Sequence, residues 1–184
     1  MPKVIATKED WIRKGIEKFA HSGERGLIID QMSKELGCSK SSFYWYFEDR
    51  SDFIARIVER WSEIATEDVI RSSSAPENVV ERITTMLKHM FSATRKGDFL
   101  FYLRKWSEES QSFQTELATI ERTRMNYAKE LFVRAGMSSE TAESKSFILY
   151  HYYLGWYERH KNQRIGEEEL RLHIEQLRMQ LLGL

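Results

Sequence analysis

Pro2 and Pro76 are the only prolines in this 184-residue chain, so few points along it are barred from helix. Valine is scarce, and no alternation of apolar and polar residues runs longer than a few positions, which removes the usual signature of half-buried strands. No apolar stretch approaches the ~18–20 residues needed to cross a bilayer. The run Met1-Pro2-Lys3-Val4-Ile5-Ala6 meets charge too soon to read as a secretory signal. Cys38 is the one cysteine, which excludes an intrachain disulfide and fits a reducing, cytoplasmic compartment. Net charge is also missing: 28 Lys and Arg balance 28 Asp and Glu. Residues 1–47 hold eight cations (3, 8, 13, 14, 18, 25, 34, 40) against six acids (9, 10, 17, 24, 30, 35), far short of a basic footprint for phosphate.

Catalytic and metal signatures are missing as well. The chain has no Gly-rich phosphate loop, nucleophile elbow or zinc-protease motif. Glu108 and Glu109 are adjacent and diverge on a helix, so they make no acid/base pair. The five histidines (21, 89, 151, 160, 173) form no pair at metal-ligand spacing. The expectation is a protein that is not an enzyme and carries no cofactor or metal.

Helical periodicity is what remains. Trp11, Ile12, Ile16, Phe19 and Ala20 make one apolar stripe over Lys8–Ser22, capped by Thr7 with Asp10 and ended by Gly23. A short helix is predicted from Ile29 to Leu36 without a capping Ser or Thr; burial of Leu27 and Ile28 would make up for it. A longer one runs from Asp49, its cap, to about Ile70. Five more are predicted after the break Ser72-Ser73-Ser74-Ala75-Pro76. They span Glu77 (with Pro76 at the first helical position) to about Lys96, Phe99 to Ser107, Ser112 as cap to Ala135, Ser138 or Ser139 to about His160, and Glu167 to Leu182. Breaks are expected at Gly97-Asp98, Gly136, Asn162 and Gly166. The fold class is all-α with about nine helices.

The organising stretch lies between the second and fourth of these, from Leu36 to Phe47. Gly37 can take positive φ and stop one helix, and Ser39 can cap the next. Phe43 and Phe47 share a face, while Ser41 and Trp45 point the other way with Ser42, Tyr44 and Tyr46 on the flanks. This is a helix-turn-helix pattern whose outer face is aromatic and hydroxyl-rich.

At Met32-Ser33, Gly37-Cys38-Ser39, Phe43-Tyr44, Phe47, Arg50 and Phe53 the sequence resembles the tetracycline-repressor (TetR) family of bacterial transcriptional regulators. The resemblance covers roughly residues 8–58. Ser33, Cys38 and Arg50 replace a more usual alanine, valine and lysine, Ile28 and Ile29 stand where Ser or Thr is common, and Asp30 and Glu48 place acids near the expected DNA face. The resemblance implies a DNA-binding domain over 1–58 and an effector-binding and dimerisation domain over 59–184. It implies that Ser39, Ser42, Tyr44 and Tyr46 lie at phosphates, that Lys40, Ser41 and Trp45 face base edges, and that Arg50 anchors a phosphate. It also implies a homodimer on a palindromic double-stranded operator, built from helices about 140–160 and 167–182, and repression relieved by a small molecule. Gly155, in the middle of a helix, suits a close helix approach, a kink or a pocket wall.

The aromatic and methionine side chains Met86, His89, Met90, Phe99, Phe101, Tyr102, Trp106, Met125, Tyr127, Tyr150, His151, Tyr153 and Trp156 are candidates for the wall of a pocket for an apolar or aromatic effector. The same pattern also describes plain core. A second reading of the whole chain is a helical small-molecule-binding or protein-interaction module with weak or no DNA binding.

Overall fold

In a computed structural model, which describes residues 6–92, 98–161, 163 and 165–183, every regular element is helical. The elements are α1 (Lys8–Ser22), a 3-10 turn (Gly23–Gly26), α2 (Ile29–Glu35), α3 (Ser41–Tyr46), α4 (Arg50–Ser62), a π-turn (Glu63–Glu67), α5 (Asp68–Ser73), α6 (Val79–Ser92), α7 (Phe99–Ser107), α8 (Gln111–Arg134), α9 (Ser139–His160) and α10 (Glu167–Leu182). α4, the π-turn and α5 run on without a break, so the described residues form nine helical rods, as periodicity predicts. The expected breaks at Gly97 and Asn162, the helix end at Lys96 and the segment 1–5 lie outside the described residues.

Caps follow local chemistry. Thr7 and Asp10 form a reciprocal capping box at α1, Asp49 Oδ1 accepts from Asp52 N at 2.8 Å, and Ser138 Oγ accepts from Thr141 N at 3.2 Å. Three expectations are corrected. α6 starts at Val79 because the Asn78 side chain accepts from Val80 N at 2.7 Å; Pro76 stays in the preceding loop, where its carbonyl accepts from Arg82 Nε. Ser112 lies inside α8, which already begins at Gln111, and its hydroxyl bonds Ser110 rather than capping. Ile28, whose burial with Leu27 would offset the missing cap, is 52% exposed at the uncapped start of α2, while Leu27 is buried.

The chain divides into two compact units, described residues 6–64 with 98–114 and residues 65–92 with 115–183. The expected boundary at 58 is therefore displaced, and α7, expected in the second domain, belongs with the first unit. The reason is aromatic packing. Phe99 stacks on Trp61 at 4.5 Å and lies 4.6 Å from Phe19, and Tyr102 Oη donates to the carbonyl of His21. Trp106 stacks on Phe113 at 3.9 Å in the same unit.

The first unit is built around Trp11, Phe43, Phe47 and Phe53, all buried, with ring centroids 4.7–6.5 Å apart. α1 lies so close to α4 that a Cβ at Gly15 would stand 2.4 Å from Ile57 Cδ1 and 2.7 Å from Phe53 Cζ. Gly15 therefore lets two helices touch, at the ordinary cost of about 1 kcal/mol for a mid-helix glycine.

The second unit packs Ile83, Met86, Leu87 and Phe91 of α6 against Ala128, Leu131 and Phe132 of α8, with Leu149 and Trp156 of α9 and Ile174 and Leu181 of α10 closing the core. Lys145 Nζ on α9 donates to the carbonyl of Leu181 at the end of α10. This satisfies an orphan C-terminal acceptor and places a cation at the negative end of the helix dipole.

Candidate nucleic-acid interface

α3 is six residues long, and tertiary contacts hold it in place of a strong cap. Gly37 takes φ +66°, which turns the chain out of α2. Ser39 does not cap α3. Its hydroxyl shares a 2.7 Å hydrogen bond with Ser41, Lys40 occupies the cap position, and no side chain satisfies the first amides. Backbone carbonyls take them instead: Ser42 N donates to Ser39 O at 3.0 Å and Phe43 N to Lys40 O at 3.1 Å, a tight first turn. On the inner side Phe43 is wholly buried; on the outer side Tyr44 is 58% and Trp45 83% exposed. Side chains of this size are seldom left so exposed next to one another.

The expected DNA-facing residues do not all play alike. Ser39, Lys40, Ser41, Tyr44, Trp45 and Arg50 are exposed, while Ser42 and Tyr46 are half-buried. Ser42 is committed within the unit: its Oγ accepts from Trp11 Nε1 at 2.9 Å and lies 3.5 Å from Cys38 Sγ, to which it donates. Its hydroxyl holds α3 to α1 and has no donor left to offer a phosphate. Arg50 is engaged by Glu24, through the carboxylate at 3.2 Å and the carbonyl at 2.5 Å. Lys40 Nζ lies 3.3 Å from Asp30 Oδ1. Further back, Lys14 and Lys18 converge on Glu35 at 3.4 and 2.6 Å, and the Lys18 hydrogen bond holds that carboxyl below its ordinary range. Charge on this surface is therefore balanced locally, acid against base, as the neutral composition implies.

The expected effector-pocket residues are divided between the two units. Phe99, Phe101, Tyr102 and Trp106 are on α7 in the first, with Phe101 exposed and Tyr102 closing over Gly23. The others are in the second. Met86 and Trp156 are in its core, with Met90, Tyr127 and Tyr153 packed on it, and Met125 is half-buried. Tyr127 Oη bonds Ser73 and Ser74 at 2.8 and 3.0 Å, and Tyr150 Oη donates to Glu121 at 3.2 Å. His89 is exposed and bonds Ser72 Oγ at 3.1 Å, and His151 is exposed and lies 4.0 Å from the Phe147 ring. An open groove of about 740 Å³ on α9, lined by Ser139, Glu140, Glu143, Ser144 and Phe147, includes none of the expected residues.

Residues the sequence reading did not single out lie on the outer faces of α9 and α10. Phe147, Ile148 and Tyr152 are exposed on α9, with His151 and Gly155 at the same helical spacing, and Leu172 and Met179 are exposed on α10. A Cβ on Gly155 would meet nothing within 4 Å. The i, i+4, i+8 spacing of Phe147, His151 and Gly155 was visible in the sequence; which face of α9 the core would take was not.

No family model and no curated protein matches the chain. Solved structures do. A transcriptional regulator from Rhodococcus sp. Rha1 superposes with a TM-score of 0.79 at 12% identity, covering 96% of each chain. A TetR/AcrR-family regulator from Thermobifida fusca YX-ER1 gives 0.67 at 18% identity, again over 96% of each. The chain has the tetracycline-repressor fold. AibR, solved with isovaleryl coenzyme A and operator DNA, shares it with a TM-score of 0.66 at 14% identity, over 92% of this chain and 97% of AibR. At these identities the likeness concerns the fold, and it aligns nearly the full length of both chains.

Proposed function

We propose that this chain is a TetR-family transcriptional regulator that binds a palindromic DNA operator as a homodimer and releases it on binding a small molecule. The observation that carries the reading is the division of α3 into a buried Phe43 face and an outer face of Ser41, Tyr44 and Trp45 beside Lys40. A helix that projects hydroxyls, aromatics and one cation fits the major groove, where hydroxyls and amines reach base edges and rings contact thymine methyls. Ser39, Lys40, Ser41, Tyr44 and Trp45 are the residues we assign to DNA, with Tyr46 at the flank and Arg50 at a phosphate once Glu24 yields it. Ser42 is assigned to holding α3 rather than to contact.

One such helix with so little positive charge binds weakly, so two are needed. Phe147, Ile148, Tyr152, Leu172 and Met179 supply a face for a second copy, and the open Gly155 lets two α9 helices approach closely. The effector is assigned to the second unit, where Met86, Met90, Tyr127 and Trp156 offer adaptable apolar walls. AibR, which carries an acyl coenzyme A, makes acyl thioesters the first class to screen. Repression is adopted as the mode of action.

Sedimentation and selection of duplexes from random DNA test the reading together. We expect a dimer that enriches a palindrome. A monomer at micromolar concentration that enriches no duplex at low salt would leave the second reading, a helical small-molecule or protein-binding module, which the local pairing of Lys40 and Arg50 with acids favours.

A further inference from the structure

The surface assigned to DNA is unusual in that an acid of the same unit holds each of its two cations. Asp30, in the first turn of α2, reaches Lys40 at the start of α3, and Glu24 reaches Arg50 at the start of α4. The two pairs differ in kind. Arg50 also donates to a backbone carbonyl, so its guanidinium is anchored whatever happens to the Glu24 carboxylate. Among the described residues Lys40 pairs with the Asp30 carboxylate, across 3.3 Å, with half of its side chain and nearly two thirds of that of Asp30 open to water. An ammonium has three donors, so one can stay on Asp30 while two reach an adjacent acceptor pair.

We propose that Asp30 is a specificity-determining residue, acting through Lys40; the inference rests on the DNA-binding reading above. The carboxylate has two effects on that lysine. It restricts a long, flexible side chain by fixing where its ammonium sits, directing the remaining donors toward the O6 and N7 acceptors of a guanine edge. It also cancels the lysine's charge as seen by passing phosphates, which have only Coulomb attraction to offer. Arbitrary DNA gains little from a neutral Asp30–Lys40 pair. A duplex with the right base gains the directed hydrogen bonds and does not require the pair to break. A lone Lys40 would reverse that balance: it would swing to the nearest phosphate on any sequence.

The test compares full-length wild type and D30N on two duplexes at several salt concentrations. One duplex is that enriched by the wild type from a random pool, and the other is a scrambled duplex of the same composition. D30N should bind the scrambled duplex about two- to fivefold more tightly, the range of an exposed ion pair. Its log–log salt slope there should steepen by about 0.9, one added phosphate contact. Binding to the selected duplex should not tighten, so the ratio between the two falls. E48Q removes an exposed acid near the same face that is not paired with Lys40, so it should tighten both duplexes alike and leave the ratio unchanged. In a K40M background D30N should have no effect. Equal tightening of D30N on both duplexes, an equal fall in the ratio from E48Q, or persistence in K40M would each overturn the inference and leave Asp30 as a general repulsive charge. If both wild type and D30N bind no duplex at low salt, the DNA reading falls and the inference with it; if both bind alike, only the inference falls.

Discussion

Two regions of this molecule leave large apolar side chains in water, and they differ in their surroundings. On α3, Tyr44 and Trp45 stand among Ser39, Lys40 and Ser41. On α9, Phe147, Ile148 and Tyr152 form an apolar stripe with His151 and Gly155 among them, and on α10 Leu172 and Met179 stand exposed on one face, about two turns apart. On the proposed reading each of the two is a surface that meets a partner. The polar neighbours decide which kind. Hydroxyls and a cation around an aromatic suit a hydrogen-bonding polyanion; an apolar stripe along a helix suits another apolar helix.

The largest effect that could break this contrast lies within α3. Phe43→Ala empties a site shared by Trp11, Phe47 and Phe53 and should cost about 3–5 kcal/mol in thermal or denaturant unfolding. Trp45→Ala, two positions away, should change stability by no more than about 0.5 kcal/mol and abolish enrichment of DNA. Equal losses from the two would mean that α3 has no outer face to speak of. Next is the α9 stripe. Ile148→Glu with Tyr152→Glu should raise the dimer dissociation constant at least about a hundredfold, seen by sedimentation, because each copy would bring two acids into an apolar interface. An unchanged dimer would move the interface elsewhere.

A smaller effect sharpens the role of Ser42. Ser42→Ala strands the buried indole N–H of Trp11 and should cost about 1–3 kcal/mol in stability. A residue that merely touched phosphate would cost nothing there. The smallest effect belongs to the second unit. Burial, and then the nearby His160, push the His173 imidazole below its ordinary value of 6.5, with Glu169 opposing. Its folded form thus resists protonation. The stability it contributes is complete above about pH 6.5 and is lost as pH falls through the lower folded value. Melting curves from pH 7.5 down to 5 should fall less steeply for His173→Phe than for wild type.

Much of this was readable in the chain itself. The Thr7–Asp10 capping box, the Asp49 and Ser138 caps, the Gly37 turn and the Phe43–Phe47 inner face each rest on residues within four positions of one another. At that range, helix geometry alone places the partners. The start of α6 was missed even so, because Pro76 and Asn78 both qualify as start signals, and the side-chain hydrogen bonds of Asn78 outweigh the ring of Pro76. The candidate site was legible as to which residues surround α3, but not as to which of them are free. Ser42 looks identical to Ser41 in sequence, and only Trp11, thirty-one residues earlier, makes it a bridge.

Composition, helical period and one short motif determined that the described residues are helical, where most of the rods lie to within a few positions, and that a helix-turn-helix stands near the start. Those are local properties, set by hydrogen bonds and side chains that meet within a turn or two. The tertiary structure decided that α7 joins the first unit through the Trp61–Phe99 stack, that Gly15 is needed where α1 meets α4, and that Lys40 and Arg50 face the solvent already paired with Asp30 and Glu24. Each depends on where a distant stretch of chain returns, and that follows from how the whole set of apolar faces can be buried at once.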